Sequence, residues 1–284
     1  MYTSEKGKKE ILGLYNQKIE ELNINYKYKL IDTSFGVTNL IITGNASKPP
    51  IILVHGSNGC APIALETYKG LENDFQIFAI DVLAQPNKSA DTRMSMKNDD
   101  YGKWMHEVID ALKLKNVTLA GFSFGGLIIL KTLEYKEKNI KEVFLSAPAY
   151  IVNGNPLKAL FKVFIPMKFY MKTKKTKYVE CFLKEVFTKQ DDFALQFLSK
   201  VFLHFKMDFT PVPVIKTAAA KLIKTPITIF AAKNDLMFPG EKMIHRCREI
   251  FPSSLQTILL SESKHVQNSF DNRYIVEIIK KAQK

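Results

Sequence analysis

Between residues 4 and 22 the apolar positions Ile11, Leu12, Tyr15, Ile19 and Leu22 recur at roughly helical spacing, which predicts an amphipathic helix lying on the body of the protein. The pattern then changes period. YKYKLIDT (26–33) and VTNLIITG (37–44), separated by Ser34-Phe35-Gly36, read as a hairpin at a sheet edge. IILV (51–54) is apolar without interruption and bounded by Pro50 and Gly56, as expected of a strand buried on both faces. From there strand and helix alternate. Helix is predicted over 61–71, strand over 76–81, helix over 99–113 with Asp99 or Asp100 as cap, strand over 117–120, helix over 124–136 and strand over 141–146. The rhythm resumes with strand 226–231, helix 240–249, strand 256–260 and helix 269–281. Strands separated by helix-length segments imply right-handed crossovers and a mainly parallel sheet covered on both faces.

The alternation breaks between about 150 and 215, where helical, aromatic-rich pieces carry no convincing strand. Leu157, Leu160, Phe161 and Phe164 form one apolar face there, and Pro166 is expected to end that run. FALQFLSKVFLHF (193–205) is apolar almost all round, which predicts partners on more than one side. The organisation expected is therefore a core domain made of 1–149 and 216–284, with a helical cap, 150–215, inserted into it.

Composition and charge narrow the function classes. The chain has 284 residues with hydrophobic residues at 46%, enough to bury a sizeable core. Its net charge of +13 raises nucleic acid and anionic membranes as partners. The excess is scattered lysine, however, and arginine occurs only at positions 93, 246, 248 and 273. Base reading and bidentate phosphate recognition favour arginine, so a nucleic-acid function is not expected. No segment reaches the length of an apolar membrane span, and the N-terminus lacks the apolar core of a secretory signal. Cys60, Cys181 and Cys247 read as reduced thiols of a cytoplasmic protein.

The candidate chemistry centres on G-F-S-F-G (121–125), between a strand and a helix. So sharp a turn holds Ser123 exposed at the positive end of a helix, and Gly121 and Gly125 remove side chains that would otherwise collide. A serine hydroxyl needs a general base, and His265, in the loop before the last helix, is the candidate. His55 is read as shaping its loop, His106 and His245 as surface or packing residues, and His204 as a residue of the cap that could face the pocket. Asp235, in K-N-D-L-M-F-P after the preceding strand, is the carboxylate expected to orient the imidazole; the segment after KEVFLS offers none. For an oxyanion the expected donors are the backbone N–H of Phe124 and one from H-G-S-N-G (55–59), Ser57 ranking ahead of Asn58. A phosphate-cradling reading of that loop fails, because Cys60-Ala61 stands where Lys-Ser/Thr is required.

ILVHGSNG, FAIDVLAQPNKSA, LAGFSFGG, AAKNDLMFP and the late KHV, in this order, resemble the α/β-hydrolase fold superfamily, in particular capped serine hydrolases such as small esterases, haloperoxidase-like enzymes and carbon–carbon bond hydrolases. The resemblance runs from about residue 26 to the end. It implies a three-layer α/β fold with a mostly parallel eight-stranded sheet and a helical cap, no cofactor and no metal. Two positions depart from the pattern. Lys264 precedes the histidine where the family often has glycine, and Ala84-Gln85-Pro86-Asn87-Lys88-Ser89 replaces a glycine pair. The expected function is hydrolysis of a carboxylic ester of a small, partly apolar substrate through an acyl-enzyme. Acyl transfer or carbon–carbon cleavage with the same residues, and a non-enzymatic ligand receptor or interaction protein on the same fold, are the alternatives. Segment 157–177 mixes apolar and basic residues as an interfacial anchor does, but a pocket roof with a lysine-rich edge ranks first. Monomer and homodimer are both open.

Overall fold

A computed structural model describes residues 1–251 and 255–283, and in it the strands join into one eight-stranded sheet. The strands are β1 (Tyr26–Thr33), β2 (Gly36–Gly44), β3 (Pro50–Val54), β4 (Gln76–Ile80), β5 (Val117–Phe122), β6 (Ile140–Ser146), β7 (Ile227–Ala232) and β8 (Leu255–Leu260). Their order across the sheet is β1-β2-β4-β3-β5-β6-β7-β8. β1 and β2 form the expected antiparallel edge hairpin, β2 runs antiparallel to β4, and all further neighbours are parallel.

The period of two within each strand explains the three layers. Ile52 and Val54 of β3 point to the face covered by α3 (Asp100–Ala111), α4 (Phe124–Tyr135) and α10 (Gly240–Ile250), where Trp104, Leu127, Ile128 and Met243 are buried. Ile51 and Leu53 point to the other face, which buries Ile11 and Tyr15 of α1 (Glu5–Glu21), Leu65 of α2 (Ala61–Thr67) and Ile275 and Ile279 of α11 (Ser269–Lys281). A strand with no polar position thus serves two cores at once. Local signals set the helix ends. Ser4 Oγ accepts the Gly7 N–H at 3.1 Å, and Asn268 Oδ1 accepts those of Phe270 and Asp271. Asp99 occupies the N-cap of α3 without a side-chain bond; Asn98 Oδ1 accepts the Asp100 N–H instead. α2 stops at Thr67, short of the expected 71, as the chain turns toward Gly70 at φ 106°.

The insert between β6 and β7 contains α5 (Pro156–Ala159), a π-helical turn (Leu160–Phe164), α6 (Ile165–Thr173), α7 (Lys177–Val186) and α8 (Asp192–His204). A further short helix, α9 (Thr217–Ala220), leads back to β7. Pro166 does not end the helical run. The wide turn lets the Ile165 N–H reach the Leu160 carbonyl, and Pro166 falls in the first turn of α6, where its missing N–H costs nothing. α8 packs on several sides as expected, with Phe197, Val201 and Phe202 buried in the same core as Ile11 and Tyr15. The face formed by Leu157, Leu160 and Phe161 points outward, whereas Val163, Met167 and Tyr170 point in.

Candidate active site

The β5–α4 junction turns at Ser123, which has φ 52° and ψ −112°. Non-glycine residues rarely adopt such a backbone, and holding one there costs about 1–3 kcal/mol. The surroundings enforce it. The Ser123 N–H donates to the Ser146 carbonyl at 2.9 Å, while its own carbonyl accepts from Gly126 at 2.9 Å and Ala149 at 3.0 Å. The chain leaving β6 therefore clamps the turn on both sides. The two glycines act as expected: a Cβ at Gly121 would lie 2.8 Å from the Gly125 carbonyl carbon, and one at Gly125 would collide with the Val54 carbonyl.

His265, in the loop after β8, places Nε2 2.9 Å from Ser123 Oγ and Nδ1 2.7 Å from Asp235 Oδ2. Asp235 lies in the loop after β7, and its Oδ1 accepts the N–H groups of Met237 at 2.7 Å and Phe238 at 2.9 Å. With both carboxylate oxygens occupied, the acid cannot rotate. An ionised carboxylate only accepts, so the imidazole proton sits on Nδ1 and the Nε2 lone pair faces the serine. The rings of Phe122 and Phe238 flank the imidazole, with centroids 5.1 and 5.4 Å away. Ser123 is only 6% exposed, and Asp235 and His265 are buried.

Of the three candidate oxyanion donors, two have a free N–H among the described residues and one does not. Phe124 opens α4, and no acceptor among the described residues meets its N–H. The Ser57 N–H is likewise unengaged among the described residues, whereas the Asn58 N–H donates to Gln85 Oε1 at 2.7 Å. That bond removes Asn58 as a donor and favours Ser57. The loop carrying them touches the elbow, since a Cβ at Gly56 would stand 2.9 Å from Phe122 Cδ1 and 3.4 Å from Ser123 Cβ.

His55 shapes this loop, as its place in the sequence suggests. Its Nδ1 donates to the Gly56 carbonyl at 2.7 Å, and Nε2 accepts the Val82 N–H at 3.0 Å with Asn87 Nδ2 beside it at 3.3 Å. Complete burial lowers its pKa to about 4, so the ring is neutral. Asp81, at the end of β4, is buried too. It accepts from Ala61 N–H at the start of α2, from Tyr15 Oη and from Asn39 Nδ2, while desolvation raises its pKa to about 6. The remaining histidines stay away from Ser123. His204 ends α8 and packs against Gly7 of α1, His106 bonds the Lys136 carbonyl, and His245 is exposed beside Glu249.

Two connections were not visible in the sequence. The Gly154 N–H donates to the Met237 carbonyl at 2.7 Å, fastening the start of the insert to the Asp235 loop. At the end of α7, Phe187 forms a parallel bridge with Val266. Thr188 Oγ1 donates to the Val266 carbonyl at 2.7 Å and accepts the Lys264 N–H at 3.0 Å. The Lys264 ammonium, where the family often has glycine, donates to the Lys184 carbonyl at 2.6 Å in the last turn of α7.

Comparison with known proteins agrees with the fold. Residues 49–171 match the family model described as alpha/beta hydrolase fold. The uncharacterized carboxylesterase nap of Bacillus subtilis is 22% identical over 279 residues, 93% of this chain and 88% of the relative. Carboxylesterase YbfK of the same organism is 27% identical over 135 residues, 48% of this chain and 46% of the relative. The crystal structure of naproxen esterase (carboxylesterase NP) from Bacillus subtilis superposes with a TM-score of 0.83 at 19% identity, covering 97% of both chains. In sheet order, in its strand–turn–helix junction at Ser123 and in the segment matched, this chain has the α/β-hydrolase fold.

Proposed function

We propose that the chain is a serine hydrolase that cleaves a carboxylic ester of a small, partly apolar substrate through an acyl-enzyme. One observation carries the reading: Oγ, Nε2, Nδ1 and Oδ2 form an unbroken relay with steps of 2.9 and 2.7 Å at a strained strand–helix turn. The names of the two Bacillus relatives, both carboxylesterases, favour an ester over other acyl compounds.

The chemistry follows from the relay. Ser123 Oγ bonds to the ester carbonyl carbon while His265 Nε2 takes its proton, and the N–H groups of Phe124 and Ser57 hold the resulting oxyanion. Collapse of the tetrahedral species breaks the carbon–oxygen bond to the alcohol, which leaves with the proton from Nε2. Water then attacks the acyl-enzyme with the same imidazole as base, the carboxylic acid departs and Oγ regains its proton. Asp235 keeps the proton on Nδ1 and stabilises the imidazolium. The insert acts as a cap over this rim, and Phe122 and Phe238 give the pocket apolar walls. A panel of p-nitrophenyl esters of increasing acyl length tests the reading. The expected profile peaks at short to medium chains, with a burst of one equivalent of nitrophenol and no turnover by Ser123→Ala. Turnover retained by that variant would refute the assignment.

A further inference from the structure

The outward face of the insert belongs neither to the Ser123 site nor to the core. Leu157 is 64% exposed, Phe161 63% and Phe169 48%, on the side of α5, the π-helical turn and α6 opposite the buried Val163, Met167 and Tyr170. Tyr170 meets Phe202 of α8 edge-on at 6.4 Å, which fixes the inward side of this stretch and hence the outward one. Phe209, also exposed, extends the patch through an edge contact with Phe164 at 6.1 Å. Large aromatic and aliphatic side chains grouped on one surface mark a binding face more often than scattered ones do.

Along the segment that forms most of that face the charges are one-sided, with Glu185 and Asp208 the carboxylates at its edges. From Val143 to Val179 the sequence contains seven lysines, Lys158 to Lys177, and no acidic residue. All seven are exposed, and one of them, Lys162, reaches a carboxylate, that of Glu185 at 2.9 Å. Apolar side chains flanked by lysines on long aliphatic stems suit the boundary between lipid headgroups and acyl chains, with the ammonium groups at the headgroup level. A second copy of this chain fits poorly, because a symmetric contact would bring two lysine rims together.

We propose that this face docks the protein on an anionic lipid surface, with Leu157, Phe161 and Phe169 inserted and the surrounding lysines on the headgroups. The inward side of the same helices packs against α8, with Met167, Tyr170 and Phe202 in one core, and the outward side is left for the membrane. The proposal does not depend on the ester reading, because docking and turnover are measured separately.

The test is cosedimentation of the full chain with sucrose-loaded vesicles of phosphatidylcholine, with and without about one third phosphatidylglycerol, near 0.1 M salt. Binding to the anionic vesicles should exceed that to neutral ones by about tenfold or more and fall several-fold at high salt. Phe161→Ser combined with Phe169→Ser, and separately Lys168→Gln with Lys172→Gln and Lys175→Gln, should each weaken it by about tenfold. All variants should keep the parent circular dichroism and the parent hydrolysis of a soluble ester. No binding to anionic vesicles, or binding that both sets of variants leave unchanged, overturns the proposal. A dimer in sedimentation equilibrium that the phenylalanine variants dissolve overturns it in favour of a second copy.

Discussion

Gln85 holds the loop proposed to bind the oxyanion through a single atom, the Oε1 that accepts the Asn58 N–H. Removing it by Gln85→Ala frees that N–H to compete and loosens the loop that presents Ser57. We expect kcat to fall on the order of tenfold with KM little changed, less than the roughly 10²–10³-fold loss for deleting a donor outright. Gln85→Glu keeps an acceptor at the same place and should restore most of the rate; steady-state kinetics on one ester compares all three. Asp235→Asn puts an amide nitrogen opposite Nδ1 or disrupts the bonds to Met237 and Phe238, turning the imidazole toward the wrong tautomer. A loss of roughly 10⁴-fold in kcat is expected, with unchanged circular dichroism. Ser123, Asp235 and His265 were legible from sequence because each falls directly after a strand, in a loop at one rim of the sheet. Gln85 lies in a segment that departs from the pattern the sequence resembles, but nothing local tells that a glutamine after one strand accepts from the loop of another.

At the scale of elements, the insert and the Asp235 and His265 loops are fastened together. Thr188 provides two of the bonds, and Thr188→Val removes both while keeping the side-chain shape. We expect about 1–2 kcal/mol lower stability in urea denaturation and a lower kcat, because the Lys264 N–H loses its acceptor one residue from the base. Unchanged stability and rate would show that the Phe187–Val266 bridge suffices alone. This fastening could not be read from the chain: the partners are 78 residues apart and belong to no common period. The strands and outer helices were readable because buried strands lack polar positions and surface helices show one apolar stripe. Residues 157–169 show the limit of that signal. Periodicity reveals an apolar face without saying which side meets solvent, and the π-helical turn, which places Pro166 at a helix start, has no sequence mark of its own.

For the whole molecule, two buried groups beside the oxyanion loop set opposing pH dependences. His55 has a folded pKa of about 4 against an ordinary 6.5, so its contribution to stability is complete above 6.5 and is lost as pH falls toward 4. Asp81, raised from 3.8 to about 6, acts the other way: its contribution is complete below 3.8 and is lost as pH rises through 6. A pH scan of the parent alone would mix the two. The difference between the parent and His55→Gln isolates the histidine, because both chains keep Asp81. The parent should lose about 2–3 kcal/mol relative to the variant between pH 7.5 and 4.5 in urea denaturation, and a flat difference would show that His55 is not buried neutral. The architecture as a whole, a two-faced sheet with an insert after β6, was readable from alternation; the convergence of three side chains on one rim is what gives it a chemistry. That convergence is tested most directly by a fluorophosphonate probe, followed by intact mass and peptide mapping. One adduct is expected, on Ser123, absent in Ser123→Ala and formed at least about a thousandfold more slowly in His265→Ala. A parent chain that stays unlabelled, or that carries its adduct on another residue, would contradict it.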